Sequence, residues 1–93
     1  MTNEKGWQQF IELCDQVSDR KQLNELLIFI LTPEEREQLS SRVILVKELL
    51  KQEKTQREIA AAHGISIAKI TRGSNSLKQI KSTLRAYLLA KLI

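Results

Sequence analysis

Residues 55–78, TQREIAAAHGISIAKITRGSNSLK, contain two short helical segments separated by a glycine. Thr55 and Glu58 form a capping-box pattern, in which each side chain can bond the backbone N–H of the other residue. The first helix should end at Gly64, because a tight turn needs a residue that tolerates positive φ. Ser66 can cap the second helix. Two short helices joined by a turn that contains glycine predict a helix-turn-helix.

The spacing of small and apolar residues supports this interpretation. Ala60 lies four residues before the glycine, where two closely crossing helices leave room only for a small side chain. We expect Ile59, Ile65 and Ile70 to be buried between the two helices. The start of the second helix, residues 66–72, should be exposed, and this is the part of the motif that normally reaches base edges. A helical hairpin with no nucleic-acid role is the alternative.

Positive charge is concentrated in and after this motif. The whole chain has a net charge of +4, but residues 1–53 carry seven basic and ten acidic side chains, a balance of −3. Residues 54–93 carry eight basic side chains and one acidic side chain, a balance of +7. A basic surface around a helix-turn-helix favours DNA binding. A solvated basic face is the alternative interpretation.

Apolar periodicity and capping signals predict four further helices. The first runs from about Gly6 to Val17, and the second carries apolar residues at positions 23, 26, 27 and 30. The segment Thr32-Pro33-Glu34-Glu35 is a strong start signal for a third helix that continues to about Lys51. Ser82 or Thr83 can cap a last helix. The expected buried faces are Leu39, Val43, Val46, Leu49 and Leu50 in the third helix, and Leu84, Tyr87, Leu88 and Leu92 in the last.

Length and composition favour one all-helical domain that gains stability from oligomerisation. A chain of 93 residues fits a single domain and buries only a modest core. The segment Leu26–Leu31 is apolar on nearly all sides, and a helix of that kind is normally buried on several sides. One small chain can hardly enclose it, so we expect a second subunit to cover it.

Several function classes have no support in the sequence. Cys14 is alone, so no intrachain disulfide is possible. The start of the chain has no apolar signal-peptide region, and its longest apolar run is too short to span a bilayer, so we expect a cytoplasmic protein. There is no phosphate loop, no metal-ligand cluster and no catalytic constellation, so we expect no enzyme activity and no metal. His63, the only histidine, should pack at the edge of the first helix of the motif.

The chain resembles the Trp operon repressor family from about Trp7 to Leu92, without gaps in its second half. The most specific segment is ITRGSNSLK at 70–78, and the other matching segments are LTPEER at 31–36, SRV at 41–43, ELL at 48–50 and TQRE at 55–58. The resemblance implies an all-α homodimer whose six-helix chains intertwine through their N-terminal helices. It also extends the second helix of the motif, which composition alone would end at Gly73, to 67–79.

The same resemblance implies an organisation for the chain and partners for it. Residues 1–93 would form one domain, with dimerisation helices over 6–51, a DNA-reading head over 55–79 and a C-terminal core helix over 82–92. L-Tryptophan would act as a corepressor rather than as a cofactor. The liganded homodimer would bind palindromic double-stranded operator DNA, and no membrane would be involved.

The residues of the corepressor pocket are carried over from the family pattern. Arg72 would bind the ligand carboxylate and one indole face, and Arg42 would stack on the other face, which suits guanidinium chemistry. Gly73 would let the ring approach the backbone. The ligand ammonium would be held by Ser76 and by the backbone around three residues of the partner subunit, Phe29, Leu31 and Thr32.

The DNA contacts are carried over in the same way. Gln56 and Arg57 would bind mainly phosphates. The residues expected to reach the groove of the DNA are Ser66, Ile67, Ala68, Lys69, Thr71 and Arg72. Besides Phe29, which replaces a family Leu, the chain departs from the family pattern at four positions of the helix-turn-helix. Lys69 replaces a Thr, Ala60 replaces a Lys that often contacts phosphate, and Ile65 and Ser66 replace an Ala and a Gly.

These observations together predict a repressor of tryptophan biosynthesis or transport operons that binds its operator in response to L-tryptophan. One alternative is a regulator of the same fold that binds DNA and answers to another ligand or to none. A second alternative is a helical oligomeric interaction module that does not bind DNA.

Overall fold

The computed structural model describes residues 3–93, which form six α-helices and no strand. The all-α, six-helix architecture with a helix-turn-helix is therefore confirmed. Among these residues, no helix is both long and apolar enough to cross a membrane. The helices are α1 (Glu4–Asp15), α2 (Arg20–Ile30), α3 (Pro33–Lys51), α4 (Gln56–His63), α5 (Ile67–Gln79) and α6 (Ser82–Leu92).

The helices belong to two compact units, Met1–Arg36 and Glu37–Ile93. In the first unit, α1 begins two residues before the predicted start, because the Asn3 side chain caps it by accepting a hydrogen bond from the Gly6 N–H at 3.3 Å. The helix also ends before the predicted Val17. Helix α2 is capped by Asp19, whose carboxylate accepts from the Gln22 N–H at 2.9 Å.

The apolar side chains of the first unit are largely uncovered. Neither α1 nor α2 contains a buried residue. Trp7 is 57% exposed and Phe29 is 86% exposed, and Ile28 and Ile30 are also exposed. Large apolar side chains in this density are normally covered. Their exposure in a single chain fits the expectation that a second subunit covers them.

Helix α3 begins at the predicted cap, Thr32, and the structure adds a complete capping box with Glu35. The Thr32 hydroxyl accepts from the Glu35 N–H at 3.1 Å, and the Glu35 carboxylate accepts from the Thr32 N–H at 2.8 Å. The predicted buried face is only partly correct. Leu50 is buried, but Leu39 and Val43 are exposed, because which part of an apolar helix face is covered depends on the elements packed against it. Leu45, which was not predicted to be buried, is 6% exposed and belongs to the core.

The helix-turn-helix forms as its sequence predicts. The capping box of α4 is complete. Hydrogen bonds from Thr55 to the Glu58 carboxylate, chiefly from the Thr55 backbone N–H, lower the pKa of Glu58 below its usual value. Gly64 ends α4 with φ at +64°, and the Ser66 hydroxyl caps α5 by accepting from the Lys69 N–H at 3.2 Å. The three predicted core residues are all buried with at most 8% exposure: Ile59, Ile65 and Ile70.

The last two helices differ in how well they were predicted. Helix α5 runs through Gly73 to Gln79, which confirms the extension implied by the family resemblance. In α6 the predicted caps are wrong, because Lys81 occupies the N-cap position without a side-chain hydrogen bond and Ser82 is already helical. The expected core face of α6 is only partly correct for the single chain. Leu88 and Leu92 are half-buried, whereas Leu84 and Tyr87 are exposed.

The buried isoleucine of α5 should contribute strongly to stability. Ile70 is fully buried in the cluster with Leu45, Ile59 and Ile65. We expect Ile70→Ala to lower the free energy of unfolding by about 2–5 kcal/mol, because it removes buried methyl groups and leaves a cavity. Urea denaturation at one fixed protein concentration measures this change.

The matched control is Ile67→Ala in the same helix. Ile67 is 47% exposed, so its truncation should change the free energy of unfolding by less than about 1 kcal/mol. Equal losses for the two variants would contradict the assignment of Ile70 to the core.

Candidate functional site

A groove of about 630 Å³ lies between α3 and α5 in the unit Glu37–Ile93. It brings together four of the predicted pocket residues: Arg42 from α3, and Arg72, Gly73 and Ser76 from α5. Arg42 is distant in sequence from the other three, and it meets them because α5 comes close to α3 where Gly73 faces Leu45. The apolar part of the lining comes from Leu45, Val46, Ile65, Leu77, Ile80 and Leu88.

The charged lining of the groove is predominantly basic. Arg42 and Arg72 come from opposite walls, and Lys69 adds a third cation on the α5 side. One acidic side chain, Glu37, and two serine hydroxyls, Ser41 and Ser76, also line the groove. Guanidinium groups bind carboxylates through charge-assisted hydrogen bonds and stack on aromatic rings. The groove therefore suits an aromatic ligand that carries a carboxylate.

Of the three glycines, Gly73 has the tightest surroundings, and the side chains closest to it belong to α3. A Cβ atom built at Gly73 would lie 2.9 Å from the Leu45 Cδ2 atom, which is closer than real Cβ contacts. Leu45 is itself buried, so it has little freedom to move away. The sequence predicted that this glycine admits a ligand ring. The structure adds a second reason for it, the close packing of the two helices.

The other three predicted pocket residues lie in the first unit, Met1–Arg36. The Thr32 hydroxyl is engaged in capping α3. The Leu31 carbonyl accepts a hydrogen bond from the Arg36 guanidinium at 3.0 Å, and the Ile28 carbonyl accepts one at 3.1 Å. The Phe29 side chain points into solvent, being 86% exposed. These residues lie at the C-terminal end of α2 or just after it. That they bind a ligand remains a prediction from the family resemblance.

The predicted DNA-contacting residues are all exposed on the helix-turn-helix. They lie at the start of α4 and along the first turns of α5. The Thr71 hydroxyl donates to the Gln56 side-chain oxygen at 3.2 Å, which links the two helices directly on this surface. The exposed residues are Gln56, Arg57, Ser66, Ile67, Ala68, Lys69, Thr71 and Arg72.

Comparison with known proteins identifies the family. The sequence model described as "Trp repressor protein" matches residues 5–92. The chain belongs to the Trp repressor family. The family consists of regulators of transcription rather than enzymes.

Individual relatives agree over most of their length. The chain is 44% identical over 87 residues to a Trp operon repressor homolog of Chlamydia caviae, covering 94% of this chain and 86% of the relative. It is 48% identical over 79 residues to a Trp operon repressor homolog of Vibrio campbellii, covering 85% and 79%. A homolog of the same name from Vibrio vulnificus is 51% identical over 72 residues, covering 77% and 71%.

Sequence reasoning missed one polar cluster in this Trp repressor family member, which we call the Glu48 cluster: Glu48, Lys54 and His63. The Glu48 side chain is 7% exposed. Its Oε2 atom accepts from the Lys54 Nζ at 2.9 Å and lies 2.6 Å from the His63 Nε2. His63 was expected only to pack at the edge of α4. No sequence signal indicates the pairing of Glu48 with His63, because these residues are 15 positions apart and meet only in the tertiary structure.

The Glu48 cluster changes the ionisation of its members. Hydrogen bonds from His63 and Lys54 lower the pKa of Glu48 from 4.5 to about 2, although burial opposes the shift. The Glu48 carboxylate in turn raises the pKa of Lys54. Glu48 is therefore held as a carboxylate in the folded protein, and its partners compensate the cost of burying its charge.

The lowered pKa of Glu48 predicts acid sensitivity of the fold. Folding lowers this pKa, so the stabilisation is fully present above pH 4.5 and is lost as the pH falls towards 2. We expect the free energy of unfolding of the wild-type protein to decrease across this window. In Glu48→Gln the decrease should be smaller, because the titrating group is absent. Urea denaturation at pH 4.5 and pH 3 measures the difference.

The matched control is Glu53→Gln, which makes the same chemical change at an exposed neighbouring position. It should keep the pH dependence of the wild type. A Glu48→Gln protein with an unchanged pH dependence would contradict the assignment.

Proposed function

We propose that this protein is a transcriptional repressor that binds palindromic operator DNA when L-tryptophan occupies the groove between α3 and α5. The observation that carries the proposal is the convergence of Arg42, Arg72, Gly73 and Ser76 on that groove, beside an exposed helix-turn-helix, in a member of the Trp repressor family. Its targets would be operons for tryptophan biosynthesis or transport, and it would act in the cytoplasm.

The groove offers what the carboxylate and the ring of tryptophan need. Arg72 would bind the carboxylate by charge-assisted hydrogen bonds. The indole ring would lie between the guanidinium planes of Arg42 and Arg72, with cation–π contact on each face. The apolar lining around Leu45 and Val46 would receive the edge of the ring.

The ammonium of tryptophan requires acceptors that this groove supplies only in part. Ser76 is one acceptor on α5. In a homodimer, the end of α2 from the partner subunit would supply backbone carbonyls, which carry partial negative charge at a helix C-terminus. The Arg36 guanidinium already donates to the Leu31 carbonyl. The ligand ammonium would therefore donate to the second lone pair of that oxygen and to the Phe29 carbonyl.

The homodimer itself is supported by exposed apolar surface. Trp7 and Phe29 are among the most exposed large apolar residues, and α1, α2 and α6 contain no buried residue. A chain of this length rarely leaves so much apolar surface to water when it acts alone. An intertwined dimer would bury these helices and complete the ligand site.

The exposed face of the helix-turn-helix is the proposed DNA surface. The N-terminal residues of α5, from Ser66 to Arg72, would enter the major groove, and Gln56 and Arg57 would bind phosphates. A two-fold dimer presents its two recognition helices to half-sites about one helical turn apart, roughly 34 Å. The bond between Thr71 and Gln56 would keep the phosphate-binding and groove-binding residues in fixed relation.

The position of the groove gives the ligand a route to control DNA binding. Arg42 is on α3 and Arg72 is on the recognition helix, so a ligand between them would fix the distance and tilt of α5 relative to α3. Tryptophan would favour the DNA-binding arrangement only to the extent that it binds that arrangement better than others.

The proposal predicts sequence-selective DNA binding that tightens with tryptophan. We expect fluorescence anisotropy to show a higher affinity for a palindromic tryptophan operator than for scrambled DNA, with L-tryptophan increasing only the operator affinity. Arg42→Ala should raise the tryptophan concentration needed for half-maximal effect by about tenfold, since it removes one of the two cations that stack on the ring.

Lys47→Ala is the control for the lost charge, because Lys47 is exposed on the same helix and does not line the groove. Its tryptophan response should match that of the wild type. Operator-selective binding that ignores tryptophan would overturn the corepressor assignment and leave the DNA-binding assignment intact.

A second candidate function is a DNA-binding regulator of the same fold that answers to another ligand or to none. Lys69 favours this candidate, because it adds a third cation to the groove lining. A ligand with more negative charge than tryptophan would suit that lining. Calorimetric titration of the protein with tryptophan separates the two candidates, because only the first predicts heat of binding at millimolar ligand.

The salt dependence of DNA binding tests the proposed role of Lys69 and also the third candidate, an interaction module without DNA binding. A protein that neutralises phosphates releases counterions, so its log affinity falls steeply with log salt concentration. We expect a steep slope for the wild type, and Lys69→Ala should reduce its magnitude by about one if the ammonium meets a phosphate.

Lys91→Ala, which removes the same charge from α6, should leave the slope unchanged. A shallow slope in the wild-type protein would favour the interaction module instead.

A further inference from the structure

Glu48 is the one buried charged side chain among residues 3–93. It lies in the last turns of α3 between Leu45 and Leu50, which are both buried. A carboxylate at such a position is costly unless it is paired. A buried ion pair often contributes no net stability, so the pairs that Glu48 makes point to a role in fixing geometry.

The two partners of Glu48 lie at opposite ends of one helix. Lys54 directly precedes Thr55, the N-cap of α4, and His63 is the last residue of α4. Both contact the same carboxylate oxygen, Oε2, at 2.9 Å and 2.6 Å. A helix of eight residues is about 12 Å long. One atom of α3 therefore holds the chain at both ends of the first helix of the reading head.

Helix α4 and α5 behave as one packed body. Ile59 of α4, Ile65 of the turn and Ile70 of α5 share one buried cluster, to which α3 contributes Leu45. Thr71 and Gln56 add a hydrogen bond between the same two helices. Because α5 is packed on α4, a contact that fixes α4 on α3 also fixes the orientation of the recognition helix.

Apolar packing alone is non-directional, so it leaves small rotations of α4 and α5 on α3 with little penalty. Hydrogen bonds to a buried, ionised acceptor are directional and are about twice as strong as neutral ones. The Glu48 cluster supplies this directional contact. It lies away from the groove, since none of its three residues lines it.

We propose that Glu48 is a positioning residue for DNA recognition, which holds both ends of α4 through Lys54 and His63 and thereby orients the recognition helix α5. The role in DNA recognition rests on the proposed function, whereas the attachment of α4 to α3 does not. The cluster would affect binding to every DNA sequence equally, because its hydrogen bonds and ion pairs involve none of the proposed DNA-contacting residues.

The second oxygen of the Glu48 carboxylate, Oε1, makes the Glu48 cluster sensitive to the loss of Lys54 or His63. Glu48 Oε1 is buried and has no hydrogen-bond partner among residues 3–93. If one donor is removed, the carboxylate stays buried with fewer compensating bonds, and the favoured relief is for α4 to move so that water reaches the charge. Local opening of the reading head should therefore follow from loss of the cluster.

Native-state hydrogen exchange on the 93-residue chain tests the attachment without DNA or ligand. We expect the amides of α4 and of the first turns of α5 to exchange about tenfold faster in Glu48→Gln and in His63→Leu than in the wild type. Glu53→Gln, with the same change of charge, should leave these rates unchanged. His63→Gln keeps a side-chain N–H donor and should restore most of the protection that His63→Leu loses.

Operator binding by fluorescence anisotropy, at saturating tryptophan and fixed salt, provides the second readout. We expect Glu48→Gln to bind the operator about tenfold more weakly than Glu53→Gln, because a smaller fraction of the protein has α5 in the binding orientation. If circular dichroism shows that Glu48→Gln is unfolded, hydrogen exchange and operator binding are compared between His63→Leu and His63→Gln instead.

The outcomes separate the two proposals. Unchanged exchange rates in the folded variants, or equal rates in His63→Leu and His63→Gln, would overturn the attachment of α4 by hydrogen bonding. Faster exchange with operator affinity equal to that of the control would overturn the positioning role. A wild-type protein that binds no DNA would overturn the proposed function, and the exchange rates would still decide whether Glu48 holds α4.

Discussion

The burial of Ile70 against Ile59 and Leu45 is the contact on which the second unit depends. Ile70 has no exposed surface and Ile59 has 1%. This contact joins the two helices of the motif to each other and to α3. An eight-residue helix such as α4 would be marginal by itself in water, so its stability comes from this packing rather than from helix propensity. The exposed face of α5 and the groove beside it exist because the opposite face of α5 is anchored in this way.

Two further constraints act on the same helix pair. At Gly73 the absence of a side chain lets α5 approach Leu45, and both residues line the groove. At Glu48 a buried carboxylate holds the chain at both ends of α4. The first constraint is steric and the second is electrostatic. Together they limit both the distance and the rotation of the helix-turn-helix relative to α3.

The first unit presents a different physical situation. Its helices have well-formed caps, at Asn3 and Asp19, but they contain no buried residue. Apolar side chains such as Phe29 are exposed in the single chain. The caps therefore specify the helices of this unit locally, although the helices contribute no buried side chain in the single chain. This is the expected behaviour of helices whose core is completed by a second subunit.

Much of the local structure could be predicted from the sequence. The capping boxes at Thr32 and Thr55 and the left-handed turn at Gly64 depend on side chains within four residues of one another, so the printed sequence contains all the information needed. The three core isoleucines followed from helical spacing. The end of α5 did not, because Gly73 is a weak helix former and only the family resemblance indicated that the helix continues.

Features that depend on contacts between distant segments were decided by the tertiary structure. Periodicity placed Leu39 and Val43 on the buried face of α3, but which part of an apolar face is covered depends on the helices packed against it. The convergence of Arg42 and Arg72 was expected only from the family pattern. The pairing of Glu48 with His63 had no sequence signal.

The sequence by itself thus determined the helices, their caps and the motif, since these depend on neighbouring residues. The tertiary structure decided which charges meet, because that depends on how α4 and α5 pack on α3.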